Sequence, residues 1–135
     1  MKNILKVFIG YDHVESVAWH TLVHSIYSKC SQPVAIVPVN IQNLKNIYFR
    51  NRDERQSNEF SFSRFLVPYL CDFSGYAIFM DCDMLLRTGI SEMFDVLDEQ
   101  PNKAVYVVKH DYTPRDKIKF LDTVQYSYPR NIGLL

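Results

Sequence analysis

Two aspartates with one residue between them, Asp81 and Asp83, close a short apolar run in YAIFMDCDMLLRTG, residues 76–89. In extended chain, side chains two apart point to the same side, with their α-carbons roughly 6–7 Å apart. Two ionised carboxylates held that close repel, and a cation between them removes the cost. Hard oxygen donors suit Mg²⁺ or Mn²⁺, which also take phosphate oxygens. A bare D-x-D is a weak motif, however. The same residues also read as one aspartate opening a turn and a second left in water.

The elements that must position this pair follow from hydrophobic patterning. Ile4 to Ile9 is a mostly apolar run ending at Gly10, which predicts a buried strand and a turn. Val14, Ala18, Trp19, Leu22, Val23 and Ile26 share one side of a helical wheel, predicting a helix over 13–28 with Asp12 as N-cap. Pro33 precedes a second strand over 34–39. Such a β-α-β start predicts an α/β fold built on a mostly parallel, Rossmann-like sheet. Residues 40–59 are polar, with five charges in the nine residues NRDERQSNE, and read as an exposed, mobile connection. Residues 60–71 read as a helix capped by Ser61 or Ser63, with Pro68 kinking or ending it. A third strand is expected over 76–80, a short helix over 91–98 and a fourth strand over 103–109. After His110 no period is sustained.

In open α/β sheets, ligands bind beyond the carboxyl ends of the strands. Asp81 and Asp83 lie at such an end. Gly10, Tyr11 and Asp12 follow the first strand, and His110 and Asp111 the fourth. Gly10 either admits a ligand close to the backbone or is a plain turn glycine. Helix N-termini on this side favour an anion. Together these features suit a nucleotide diphosphate.

Composition narrows the alternatives. The chain has 135 residues, 47% hydrophobic and 22% charged, sufficient for one domain with a core. Fifteen Lys and Arg balance fifteen Asp and Glu, so no basic excess argues for nucleic acid. The three cysteines, Cys30, Cys71 and Cys82, show no CxxC spacing, which argues against a disulfide framework or zinc site and for a reducing, cytoplasmic setting. No window approaches the roughly 20 apolar residues of a membrane helix. His13, His20 and His24 lie opposite the apolar face of the first helix, and HTLVH lacks the glutamate of a zincin, so exposure is expected for all three.

The stretch SFSRFLVPYLCDFSGYAIFMDCDMLLRTGISEMFDVLD resembles the core of the metal-dependent GT-A glycosyltransferases, most closely glycosyltransferase family 8 and its glycogenin-like relatives. The matching residues are Phe62, Ser63, Arg64, Pro68, Asp81, Asp83, Ile90 and Phe94, and VFIGYDHVE fits the family's first strand and base-binding turn. The resemblance spans most of residues 4–110. It implies transfer of a sugar from a nucleotide-diphospho-sugar, usually a UDP-hexose, to an acceptor hydroxyl with Mn²⁺ or Mg²⁺ as cofactor. By this resemblance Asp83 is the main metal ligand, with Asp81 on the metal and the ribose. Arg64 lies by the phosphates or the sugar, and Gly10, Tyr11, Asp12 and Cys82 line the nucleotide-sugar site; apart from the resemblance, Arg64 also reads as the structural partner of a nearby carboxylate in a salt bridge. No catalytic residue is assigned.

Members of that family continue well past 135 residues and carry a late histidine on the metal. His110 is more simply a solvated loop residue. The expectation is a single nucleotide-sugar-binding domain over 1–135 whose acceptor-binding half is missing, through a one-base deletion in the codons following Arg130. Sequencing the gene tests that expectation. Such a chain is a glycosyltransferase or a non-catalytic remnant that binds nucleotide-sugar. A haloacid-dehalogenase-type phosphatase also places D-x-D after a strand, but Met84 and Leu85 follow here and the motif comes on the third strand, which makes it the distant alternative.

Overall fold

The computed structural model describes residues 4–54, 56–99, 101–108, 113, 118–119 and 123–124. At its centre lies a three-stranded parallel sheet in the order β2-β1-β3, with β1 over Leu5–Gly10, β2 over Val34–Val39 and β3 over Ile78–Met80. Leu5 pairs with Val34 and Gly10 with Val39; on the other side Val7 pairs with Ile78 and Ile9 with Met80. The apolar run of β1 suits the middle position, where both faces are covered, and Val7 and Ile9 are fully buried. The three residues of β3 are buried as well.

Helix α1, Ser16–Lys29, crosses from β1 to β2 after a 3₁₀ turn over His13–Glu15. Asp12 caps the entry: its Oδ1 accepts from the Val14 N–H at 3.0 Å. Leu22 and Ile26 are fully buried, and Trp19 and Val23 fill in beside them. Val14 does not join that face and is exposed, because it belongs to the 3₁₀ turn and so falls out of the helical phase. His13, His20 and His24 are exposed as expected.

The helix expected over 60–71 is two pieces, a 3₁₀ turn over Ser63–Leu66 and the single α-helical turn α2, Val67–Leu70. Pro68 stands at the start of α2 rather than ending a helix. In a first turn no N–H is missed, so proline fits there. The segment stops beyond Leu70, where Asp72 and Phe73 take left-handed φ of 53° and 49° and the Phe73 N–H returns to the Pro68 carbonyl at 2.9 Å. Helix α3, Ser91–Glu99, follows the D-x-D loop, with Ile90 fully buried and Phe94 packed on the core.

Residues 40–59 are not simply an exposed connection. Leu44 and Gln56 are buried, Ile47 and Tyr48 pack on the core, and Phe60 beyond them is 1% exposed. Nor do residues 103–108 form the expected fourth strand. Residues 104–108 and β3 both line an apolar cavity of about 730 Å³, together with Val67, Pro68 and Phe94 among others. The Tyr76 and Tyr106 rings meet edge-on at 6.4 Å, and the Tyr76 hydroxyl donates to the Pro101 carbonyl at 3.4 Å. A two-residue antiparallel pair, β4 (Ile118–Lys119) with β5 (Thr123–Val124), lies where no period is visible in the sequence. Among the described residues no helix is long and apolar enough to cross a membrane.

Candidate functional site at the carboxyl end of the sheet

Strands β1 and β3 are parallel neighbours, so the residues leaving them emerge on the same edge of the sheet. Gly10, Tyr11 and Asp12 leave β1 there, and Asp81, Cys82 and Asp83 leave β3. The connection ending in Phe60 and the 3₁₀ turn bearing Arg64 close over this edge. His110 and Asp111 lie outside the described residues.

The glycine at position 10 answers to an internal contact. A Cβ on Gly10 would stand 2.3 Å from Cδ2 of Phe60, far inside van der Waals range. What approaches that backbone so closely is therefore the Phe60 ring. Phe60 also meets Phe79 of β3 at 6.2 Å between centroids. Tyr11 packs its ring against Trp19 at 5.9 Å and donates its N–H to the Val39 carbonyl at 3.2 Å. Asp12 is buried at 4% exposure, and besides capping at Val14 it accepts the Glu59 N–H on Oδ2 at 3.0 Å. This one carboxylate therefore ties the entry of α1 to the far end of the connection.

Arg64 sits between these groups and the D-x-D loop. Its Nε donates to the Phe60 carbonyl at 3.1 Å, its Nη1 lies 3.1 Å from Asp81 Oδ1, and the guanidinium lies 5.2 and 5.1 Å from the Phe60 and Phe79 ring centres. Burial pulls the Arg64 guanidinium below its ordinary value, and the Asp81 charge opposes that shift. It remains a cation in any working range.

β3 ends at Met80, and the D-x-D runs out of it into a turn at Cys82 and Asp83 rather than continuing as extended strand. Asp81 is 39% exposed at its side chain and Asp83 is exposed, while Cys82 between them is 1% exposed. The Cys82 thiol donates to Glu15 Oε2 at 3.4 Å. Burial, together with the Glu15 and Asp83 charges, pushes that thiol up to about 12. The loop beyond is held by Ser25 of α1, whose Oγ donates to the Leu22 carbonyl at 2.8 Å and accepts the Leu86 N–H at 3.2 Å.

The structure thus gathers Gly10, Tyr11, Asp12, Arg64, Asp81, Cys82 and Asp83 at one edge of the sheet, with the Cys82 side chain turned inward. The donors left facing solvent at the D-x-D are oxygens, and the soft sulfur is withdrawn, which fits a hard divalent cation. Among the described residues, no third His, Cys, Asp or Glu forms a ligand cluster with Asp81 and Asp83. Sequence reading missed Phe60, Glu59 and Glu15 as parts of this edge. All three make their contacts through the tertiary fold, and no local pattern marks them.

The chain is similar to a curated plant protein, Protein CDI of Arabidopsis thaliana, with 43% identity over 131 residues. That match covers 96% of this chain and 50% of the relative, so the chain spans about half the length of the curated relative it matches. No protein-family model matches the chain, and no solved structure matches it.

Proposed function

We propose that this chain is the nucleotide-sugar-binding part of a metal-dependent glycosyltransferase of GT-A type, taking a nucleotide-diphospho-sugar such as a UDP-hexose for transfer to an acceptor hydroxyl. The observation that carries this reading is the Arg64–Asp81 pair at 3.1 Å, at the carboxyl edge of a parallel sheet. It joins the Ser-Arg turn and the D-x-D, two parts of the resemblance that are separate in sequence. A fixed guanidinium beside one carboxylate of the D-x-D offers both signs of charge to a metal-bound diphosphate. Tyr11, held edge-on by Trp19 at the end of β1, places an aromatic ring of the kind a nucleobase can stack on at this edge.

In this reading Asp81 and Asp83 would hold Mn²⁺ or Mg²⁺, beside the Arg64 that pairs with Asp81. An ion held there would supply neutralisation of the charge that develops on a departing diphosphate. Arg64 orients the phosphate oxygens, and the Phe60 and Phe79 rings keep its guanidinium in place. Calorimetric titration of UDP with and without Mn²⁺, on the wild type and on Asp83→Ala, tests the site. Metal-dependent binding abolished by the substitution supports it; binding indifferent to metal and to Asp83 would overturn it. Hydrolysis or transfer from UDP-glucose then separates a catalytic domain from a chain that only binds the donor.

A further inference from the structure

The structure assigns a second cation site, apart from the D-x-D, to His13, Asp12 and Glu59 at the end of β1. One ligand atom from each residue lies within 4.8 Å of the others. His13 Nδ1 stands 3.5 Å from Asp12 Oδ1 and 3.3 Å from Glu59 Oε1. Both separations exceed the roughly 2.7–3.2 Å of an N–H···O bond. They match the roughly 3.3–3.6 Å between donor atoms on a tetrahedral centre with bonds of about 2.0–2.2 Å. The same spacing serves direct ion pairing of the ring with the carboxylates and an ion held among all three.

The carboxylates are also held in place. Asp12 is buried and its oxygens are oriented by the Val14 and Glu59 N–H groups, the kind of outer hydrogen bonding that aims a metal ligand. Oδ1 keeps a second lone pair after accepting from Val14. The Glu59 side chain is only 12% exposed, whereas His13 is 70% exposed, so the cluster is covered on the protein side and open to water on the other. One nitrogen and two oxygens with an open fourth position is a donor set for Zn²⁺ or Co²⁺, in contrast to the all-oxygen D-x-D. Because His13 opens the 3₁₀ turn before α1 and Glu59 ends the 40–59 connection, an ion here would clasp that connection onto the sheet edge. The assignment does not depend on sugar transfer.

Metal-free protein carrying Asp83→Ala, to silence the D-x-D, is titrated with Co²⁺ and with Zn²⁺. Calorimetry and the visible absorption of Co²⁺ report binding, and thermal melting reports the clasp. One saturable ion per chain, a tetrahedral Co²⁺ spectrum and a raised melting temperature are expected. Adding His13→Ala or Glu59→Gln should weaken binding by about tenfold or more, since even outer-shell changes cost roughly 10–100-fold. The His13 ring is exposed, so its removal leaves the fold intact and decides the matter even where Glu59→Gln is unstable. Absence of saturable binding, or affinity unchanged by His13→Ala, would overturn the assignment.

Discussion

The ring of Phe60 fills the space that a side chain at residue 10 would need, with Cδ2 only 2.3 Å from where a Cβ on Gly10 would stand. Position 10 is thereby restricted to glycine by a residue fifty positions away in the sequence. Gly10→Ala should cost about 1–3 kcal/mol, the usual penalty of overpacking a close-packed core. Urea unfolding measures it. Combining it with Phe60→Leu should recover part of the loss relative to the sum of the single changes. If Gly10→Ala is neutral, the close approach is not present in solution.

That contact also shows what the sequence could and could not disclose. The strand ending at Gly10, the helix over the next residues and the second strand at 34–39 were legible because each is a continuous apolar or periodic run. The D-x-D edge followed from that order, since parallel strands present their carboxyl ends together. Gly10 itself was visible as a special residue, but whether a ligand or a ring approached it was not. Phe60 meets it only through tertiary packing. Residues 104–108, AVYVV, carry a strand signal that local pattern cannot reject, yet they line a cavity with β3 instead of pairing with it. Pro68 was misread because the same residue ends a long helix and begins a short one.

Arg64 is mostly covered, with 12% of its side chain exposed, and Asp81 supplies its counterion. Asp81→Asn leaves the guanidinium without that charge. Losing one partner of a fully buried pair costs roughly 3–5 kcal/mol. With Asp81 partly in water, about 1–3 kcal/mol is expected here. The double variant Arg64→Met with Asp81→Asn should be closer to wild type than Asp81→Asn alone. Chemical denaturation of the four proteins closes the cycle, and purely additive effects would show that the pair is not coupled.

The Cys82 thiol, pushed up to about 12, should be the slowest of the three cysteines to alkylate. The thiolate is the nucleophile, and burial suppresses it. At pH 8 iodoacetamide should label Cys30 and Cys71 well before Cys82, as peptide mass spectrometry would show. Because the folded value is raised from 9.0, the native state holds this proton more firmly than the unfolded chain does. Its contribution to stability is complete below pH 9.0 and is lost as the pH rises towards 12. Cys82→Ala should therefore flatten the alkaline decline in stability across that window. An identical decline in both proteins would sever the link to this thiol.

Asp12 holds two separate backbone donors with one carboxylate, the Val14 N–H and the Glu59 N–H, each at 3.0 Å. Removing an N-cap side chain costs about 1 kcal/mol, and a hydrogen bond to a charged group contributes roughly 1.5–3. Asp12→Ala should thus destabilise the chain by about 2–4 kcal/mol, with both amides left without their acceptor. Asp12→Asn retains one oxygen and should lose about half as much. Hydrogen exchange distinguishes the two roles: in Asp12→Ala the Glu59 amide should exchange faster along with Val14, although it belongs to a segment far away in sequence. Acceleration confined to Val14 would mean that Asp12 acts as a helix cap alone and leaves the 40–59 connection to be held by Leu44, Gln56 and Phe60.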